Sequence, residues 1–297
     1  MIITDRIGKK YALRENRLKD SPDDYRIIRI ANQSFLFCII FELVGIMTIM
    51  FFGTVGAEMA IYFMTFLFSL FLYLKHKNDF IVPLKKINGK TLLHTALITV
   101  CGVPIAMLLN MFAGLLSNAG ADTAEDINIY PLFVAIAAFA IVPAVVEEFV
   151  FRGVILGAYN KVDMRAGIII SSLFFALLHF SLGSVMYGFF FGLLFAAIRL
   201  ATDNMLYTVI MHCLFNTINI LLSYMNIGTV QVLIALTVII MALIGFIILV
   251  ISFFKDNPID IRKNHSEDKY KPYRMITKEG YISIGICLTI MFFLLML

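Results

Sequence analysis

The sequence predicts an all-α fold, a polytopic transmembrane helical bundle of about nine spans with a cytoplasmic N-terminus. Three observations support this fold class. Hydrophobic residues make up 61% of the 297 residues and charged residues only 15%, whereas soluble domains are about 45–50% apolar and about 25% charged. The apolar residues form runs of roughly 20, the length that crosses a bilayer. The Lys and Arg residues all fall on one side of the membrane that these runs define.

The predicted spans follow one another along the chain, and the sixth is short. Their ranges are 34–53, 57–74, 91–117, 130–151, 166–182, 184–199, 205–225, 229–254 and 280–297. A basic cytoplasmic arm over 1–33 precedes them, and a polar cytoplasmic loop over 255–279 precedes the last one. Because no other polar stretch is long enough to fold separately, residues 34–297 are predicted to form one membrane domain.

The distribution of basic residues predicts the orientation. Cytoplasmic loops of membrane proteins are enriched in Lys and Arg. With the N-terminus inside, the five inside stretches contain all 24 Lys and Arg residues of the chain. These stretches are Arg6 to Arg29, Lys75 to Lys90, Arg152 to Arg165, Arg199 alone, and Lys255 to Lys278. The longest outside loop has no basic residue and carries Asp122, Glu125 and Asp126.

Charge and cysteine usage exclude two other classes of function. The formal net charge of +4 is too small to indicate nucleic-acid binding. The four cysteines all lie in apolar runs, and none has Cys-x-x-Cys spacing. Neither a disulfide framework nor a thiolate zinc site is therefore predicted.

Two glutamates and an arginine interrupt the fourth span in the stretch "AVVEEFVFRGVI" at 144–155. Ionisable residues inside spans are rare and indicate function. Glu148 and Arg152 are four residues apart, so their side chains share a helix face and can pair in the favoured order, which gives them an orienting role. Glu147 lies about 100° further round the helix. It is free to face another helix and to act as a general base.

Two later spans contain histidines at helical spacing. Phe175 and His179 are four residues apart in "FFALLHF", and His212 and Asn216 are four residues apart in "MHCLFNT". Together with Glu147, these residues predict hydrolysis of an amide inside the membrane. Glu147 and His179 would hold and deprotonate a water molecule, while His212 and Asn216 would donate hydrogen bonds to the oxyanion of the tetrahedral intermediate.

Other polar residues of the spans are left out of this site. Glu42, Glu58 and His94 occur singly and without polar neighbours, and Asn110 and Asn219 are polar partners without a specific role. Glu58 in particular is predicted to be an interfacial side chain that reaches water.

A metal remains an alternative at this stage. Glu147, His179 and His212 could form a zinc site of two histidines and one carboxylate, with an open position for water. The motif H-E-x-x-H is absent, and the three ligands would come from three different helices. The metal-free hypothesis needs no cofactor, so it is preferred.

These residues resemble the motifs of the CAAX protease and bacteriocin-processing family (CPBP, or Abi), which includes CAAX prenyl endopeptidases. The family pattern E-E-x-x-x-R, F-x-x-x-H and H-x-x-x-N appears here as Glu147-Glu148-x-x-x-Arg152, Phe175-x-x-x-His179 and His212-x-x-x-Asn216. The resemblance covers roughly 130–222, less than a third of the chain. It implies an intramembrane endopeptidase of helical fold, with the same site roles as above, and a family that has been labelled metalloprotease.

The expected partners are the lipid bilayer and a membrane-embedded or lipidated peptide or protein, with no nucleic acid. The orientation and the position of Glu147 near the end of its predicted span predict a site that opens to the cytoplasm. A bacterial plasma membrane fits the compact loops. The alternative function is a non-catalytic scaffold or immunity protein, or a transporter, that uses the same buried polar cluster.

Overall fold

A computed structural model describes residues 21–77, 82–117, 127–225, 231–259 and 275–296, and the chain is all-α over these ranges. The described residues form eight helices. They are α1 (Pro22–Lys75), α2 (Gly89–Ser117), α3 (Leu132–Val162), α4 (Met164–Leu177), α5 (Leu182–Thr202), α6 (Met205–Tyr224), α7 (Gln231–Asp256) and α8 (Lys278–Met296). A 3₁₀ turn, Ile127–Ile129, precedes α3.

Seven of the eight described helices are long and apolar enough to cross a membrane. The all-α, multi-pass prediction is therefore confirmed, while the count of nine spans is not. Two elements account for the difference. α4 is apolar but has only 14 residues, which is fewer than the roughly 20 that a span needs. α1 is one element of 54 residues where the sequence predicts two spans.

α1 doubles back on itself at Gly53. The backbone there has φ 66° and ψ 173°, a left-handed conformation that glycine adopts without a Cβ penalty. The two halves of α1 lie side by side, since the rings of Phe37 and Phe68 have centroids 4.1 Å apart. Gly45 packs so closely on Ile61 that a Cβ atom at this position would overlap it. The turn falls between the first two predicted spans.

Two helices extend beyond their predicted bounds. α1 already begins at Pro22, in the part of the chain predicted as a basic arm, and proline suits the first position of a helix. Residues 1–20 of that arm, and residues 260–274 of the predicted loop, lie outside the described residues. α3 continues to Val162 although the sequence predicts an end at 151. Arg152 does not end the span at the membrane surface because it is fully buried.

α3 contains two π-helical segments, Ala137–Ile141 and Phe149–Ile155. The first ends two residues before Pro143, which has no N–H group to donate and whose ring disfavours a regular preceding turn. The second contains Arg152 and begins directly after Glu148. π-Helical turns are rare and are found frequently at functional sites. The irregular backbone of α3 thus brackets its two glutamates.

The helices pack as two groups with separate cores. The first, larger core is formed by α1, α3, α4 and α8 with Met205 of α6, and the second by α2, α5, α6 and α7. A small third cluster joins α3 to α6 through Ala135, Ala140 and Ile220. Arg152 lies among residues of the first core, near Phe175. His212 belongs to α6 and lies near Phe195 of the second core. The charged residues of α3 therefore lie at the boundary between the two groups.

The helix ends define two sides of the bundle. On the first, Lys85 pairs with Asp203, Arg29 Nε lies 2.8 Å from Glu279 Oε1, and Lys90 Nζ lies 4.0 Å from Asp256 Oδ2. We call this end the basic side. We call the other end the opposite side. It contains the turn at Gly53 and the end of α6, where the Tyr224 hydroxyl donates to the carbonyl oxygens of residues 127 and 130.

Candidate active site

The core of the site is a buried cluster of Glu148, Arg152 and His212. Glu148 and Arg152 are each 0% exposed. Arg152 Nη1 lies 3.2 Å from Glu148 Oε1, so the ion pair predicted from their spacing is present. His212 of α6 brings its Nδ1 to 3.1 Å from the same carboxylate oxygen. Because Glu148 accepts this hydrogen bond, Nδ1 of His212 carries a proton.

Aromatic rings surround the arginine. The guanidinium lies 4.3 Å from the ring centroid of Phe175 and 5.6 Å from that of Phe195. Arg152 Nη2 also donates to the carbonyl oxygen of Gly192 at 3.4 Å. Buried charges need a paired and hydrogen-bonded partner, and here a carboxylate, a carbonyl and two ring faces serve that purpose.

Glu147 has different surroundings although it is the next residue. It is 7% exposed, and its Oε1 accepts a hydrogen bond from the Tyr62 hydroxyl at 2.9 Å. Its Oε2 lies 3.8 Å from His212 Nε2, which is too far for a direct hydrogen bond. His212 therefore lies between the two glutamates, with one ring nitrogen nearest to each.

A cavity of about 510 Å³ adjoins Glu147. Four of the six predicted site residues line it, namely Glu147, His179, His212 and Asn216. Glu148 and Arg152 are not among its lining residues and lie behind this wall. The other polar side chains that line the cavity are Glu58, Tyr62, Asn110, Ser184, Tyr187, Asn219 and Ser223.

His179 lies in the turn after α4, not inside a span as predicted. α4 ends at Leu177, and the left-handed backbone of Phe180, with φ 53°, follows the histidine. His179 Nδ1 lies 3.0 Å from the carbonyl oxygen of Phe175, to which it donates. In the neutral ring Nε2 is then the acceptor. Within the described part of the chain, His179 makes no direct contact with Glu147, and the two share only the cavity.

The predicted zinc ligands are not assembled. Over residues 21–77, 82–117, 127–225, 231–259 and 275–296, no three His, Cys, Asp or Glu side chains are grouped closely enough to hold a metal ion. Glu147 and His212 approach each other, but His179 does not join them. The donor set therefore does not fit a tetrahedral zinc site, and we derive no step through a metal.

The sequence missed two contributions to the site. Tyr62, from the second half of α1, contacts Glu147, and Glu58, predicted as an interfacial side chain, lines the cavity one helical turn away. Their four-residue spacing was the available signal, but nothing in the sequence linked it to Glu147. His94, which was left out, has a structural role, since its Nε2 lies 3.0 Å from the carbonyl oxygen of Leu249.

Phe175 has a larger role than its spacing to His179 suggests. Its ring packs against Arg152 at 4.3 Å and edge-on against His179 and His212, with centroids 5.3 Å and 5.6 Å apart. One aromatic side chain thus contacts the cation and both histidines. The letter F in the F-x-x-x-H pattern was the only sequence signal for this contact.

The cavity does not extend in the predicted direction. Glu147 is the middle residue of α3 (Leu132–Val162), not a residue near its end, because the helix continues past 151. From Glu147 the cavity runs along α3 through Pro143 and Phe139, toward the end at Leu132 and so away from the basic side. This direction differs from the predicted opening on the side of the basic loops.

The domain that contains these residues matches a known protein family. Residues 129–218 match the family described as Rce1-like, type II CAAX prenyl endopeptidase Rce1-like. The chain carries an Rce1-like CAAX endopeptidase domain. This agrees with the resemblance seen in the motifs, and the family of this domain implies a peptidase. All six predicted site residues lie within the matched range, whereas Tyr62 and Glu58 lie outside it. No curated protein and no solved structure has significant similarity to the chain.

Proposed function

We propose that the protein is an intramembrane endopeptidase that hydrolyses a peptide bond in a membrane-associated or lipidated peptide or protein. The observation that carries this proposal is the position of Glu147. Its carboxylate lines a cavity of about 510 Å³, and Tyr62 and His212 surround it. A water molecule in the cavity can reach this carboxylate, while the protein shields it from bulk solvent.

Glu147 and His179 activate the water. The carboxylate takes a proton from the water as general base. His179 holds the water through Nε2, because its Nδ1 is engaged by the carbonyl oxygen of Phe175. The absence of a direct contact between the two residues suits this arrangement, since the water occupies the space between them. Catalytic hydrogen bonds are often long before substrate binds.

His212 and Asn216 stabilise the oxyanion. They are one helical turn apart on α6, and both line the cavity. Since Nδ1 of His212 donates to Glu148, Nε2 can donate to the oxyanion only when the ring carries both protons. In that form, the two positive charges of Arg152 and His212 balance the negative charges of Glu147 and Glu148. A buried cluster with this balance avoids an uncompensated charge.

The atoms balance over the reaction. The water oxygen forms a bond to the carbonyl carbon, and its proton passes to Glu147. The carbonyl oxygen becomes the oxyanion. When the tetrahedral intermediate collapses, the C–N bond breaks and Glu147 returns the proton to the leaving nitrogen. Glu148 and Arg152 touch no reacting atom, and their role is to hold His212 in place.

In this proposal the chain crosses the membrane nine times, with a cytoplasmic N-terminus. The hairpin of α1 supports two crossings, the short apolar helix α4 supplies one more, and the other six long helices supply the rest. The sorting of all 24 Lys and Arg residues supports the orientation. We propose a bacterial plasma membrane as the location, with residues 34–297 forming one membrane domain.

The proposed substrate is a lipidated or membrane-embedded peptide. Phe139, Phe191 and Phe215, together with Met107 and Ile220, supply an apolar lining beside the polar groups of the cavity. Such a lining suits the side chains of a membrane segment or a lipid chain. The proposed reaction uses no cofactor. The zinc alternative would need His179 to move toward Glu147 and His212.

The test is cleavage of a fluorogenic peptide panel, lipidated and unlipidated, by detergent-purified protein and by Glu147→Gln. Each reaction is run with and without a zinc chelator. We expect cleavage by the wild type in both conditions and its loss in Glu147→Gln. Loss in the chelated wild type would favour the zinc alternative. Absence of cleavage by the wild type on every peptide would favour the scaffold, immunity or transport alternative.

A further inference from the structure

The cavity lies in one half of the bundle. On α3 its lining residues are Phe139, Pro143 and Glu147, which belong to the half that begins at Leu132. On α6 they run from His212 to Ser223, toward the end of that helix at Tyr224. Both sets extend from the middle of the bundle to the opposite side, the end away from the basic loops.

The other helices place the cavity in the same half. On α5 the lining begins at Ser184, two residues after the start of the helix. On α2 it consists of Ala106, Met107 and Asn110, in the later half of Gly89–Ser117. On α1 it consists of Glu58 and Tyr62, shortly after the turn at Gly53. Apart from Phe195 of α5 and His212 of α6, which lie near the middle of their helices on the basic side, the lining residues belong to the helix halves nearer the opposite side.

The basic side is closed beneath the site. Glu148 and Arg152 are fully buried and lie between the cavity and this end of the bundle. Below them, the amide of Met205 donates to the carbonyl oxygen of Pro83 at 2.9 Å, and Asn204 Nδ2 donates to that of Lys85 at 2.9 Å. A peptide that approached from the basic side would have to separate these contacts and the ion pair.

We infer that substrates reach the site from the non-cytoplasmic side of the membrane. The basic side faces the cytoplasm by the positive-inside rule, so the cavity faces the other compartment. The substrate class is then a peptide segment whose cleaved bond lies in the non-cytoplasmic half of the bilayer or is presented there after export. A lipidated tail that stays in the cytoplasmic leaflet is not a substrate. The part of this inference that concerns cleavage rests on the proposed function, whereas the part that concerns the side of access does not.

The test is thiol labelling in oriented membrane vesicles with a membrane-impermeant reagent. The parent protein has Cys101→Ala and Cys213→Ala and keeps the buried Cys38 and Cys287. The parent protein without an added cysteine gives the background level of labelling. Ser223→Cys and, independently, Ser184→Cys place a thiol on the cavity wall with little change in volume. Lys90→Cys, whose native side chain is 86% exposed, reports the basic side, and labelling in detergent gives the total for each variant.

The expected result is labelling of Ser223→Cys and Ser184→Cys in right-side-out vesicles and its loss in inverted vesicles, with Lys90→Cys showing the reverse. Labelling of the cavity thiols from the same side as Lys90→Cys would overturn the inference. So would labelling of Lys90→Cys in right-side-out vesicles, or cavity thiols that are labelled only in detergent.

The outcome is separable from that of the proposed function because labelling does not require cleavage. If the peptide panel is cleaved but the cavity thiols are labelled from the cytoplasmic side, the protease proposal stands and the side of access is wrong. If the panel is not cleaved but the thiols are labelled as expected, the side of access stands and the protease proposal fails.

Discussion

Glu147 and Glu148 are neighbours in the chain and are almost equally buried, at 7% and 0% exposure, yet their surroundings differ in kind. Glu148 is engaged by two cationic or proton-donating side chains, Arg152 and His212. Glu147 receives a hydrogen bond from a neutral hydroxyl, that of Tyr62, and adjoins a cavity. In the proposed mechanism, the two positions, about 100° apart on the helix, separate a structural carboxylate from a reactive one.

The two carboxylates differ in whether they can exchange a proton with water in the cavity. A carboxylate paired with a fixed guanidinium behind the cavity wall does not face the water and substrate in the cavity. A carboxylate at a cavity wall meets water and substrate, and its remaining acceptor sites are available for them. In the proposed mechanism, Glu148 keeps the site assembled, and Glu147 acts only because His212 and α3 are already held in place.

An isosteric substitution of Glu147 should therefore lower activity, whereas one of Glu148 should lower stability. This contrast is the largest effect we predict. Glu147→Gln should lower the cleavage rate by about 10²–10⁴-fold, the typical contribution of a general base, with little change in the unfolding transition. Glu148→Gln should lower the free energy of unfolding by about 3–5 kcal/mol because it leaves the Arg152 charge buried without its partner. The measurements are peptide cleavage and denaturant unfolding in detergent micelles.

The double variant Glu148→Gln/Arg152→Met is the matched control for stability. It removes both charges, so it should be more stable than Glu148→Gln alone. Equal losses of stability in Glu147→Gln and Glu148→Gln would contradict the division of roles. An active Glu147→Gln would contradict the proposed base.

Local spacing was sufficient to predict one part of the site. The ion pair of Glu148 and Arg152 depends only on helix geometry over one turn, so their four-residue spacing predicts it. The meeting of α3 with α6 at His212 came from the ordered motifs, because no local rule joins residues 64 positions apart. The family match over 129–218 confirms the family resemblance that those motifs indicated, and not the roles of their residues.

Other features depended on packing that a single sequence does not display. Tyr62 reaches Glu147 only because α1 turns back at Gly53. A glycine inside an apolar run does not by itself predict a hairpin. The end of α3 was misplaced because a buried, paired Arg152 looks in sequence like a charge at the membrane surface. Because of this misplaced end, the sequence predicted that Glu147 lies near the end of its helix and that the cavity opens toward the basic side.

The two asparagines of α6 give a second comparison, with a smaller expected effect. Asn216 and Asn219 both line the cavity, but Asn219 Nδ2 donates to the carbonyl oxygen of Phe215 at 3.0 Å. Asn216→Ala should lower kcat by about 10²–10³-fold, as the loss of one oxyanion donor does, while KM changes less. Asn219→Ala should leave kcat near that of the wild type. Equal kcat values for the two variants would remove Asn216 from the proposed oxyanion site.

The smallest effect is expected at Tyr62, and it tests whether the reactive carboxylate is positioned from outside the family domain. Tyr62→Phe keeps the ring and removes the hydroxyl that donates to Glu147 at 2.9 Å. We expect kcat to fall roughly tenfold, which corresponds to about 1.4 kcal/mol and is comparable to a hydrogen bond with a charged group. KM and the unfolding transition should change little.

Tyr187→Phe is the matched control, because Tyr187 lines the same cavity while its hydroxyl donates to Ser184 Oγ at 3.0 Å rather than to the charged cluster. A merely structural role for the Tyr62 hydroxyl would lower stability and leave kcat unchanged, and equal kcat losses in both variants would indicate a general effect of cavity polarity. A kcat loss in Tyr62→Phe alone would mean that the domain at 129–218 does not position its own base. The hairpin of α1, outside that domain, would then be part of the catalytic machinery.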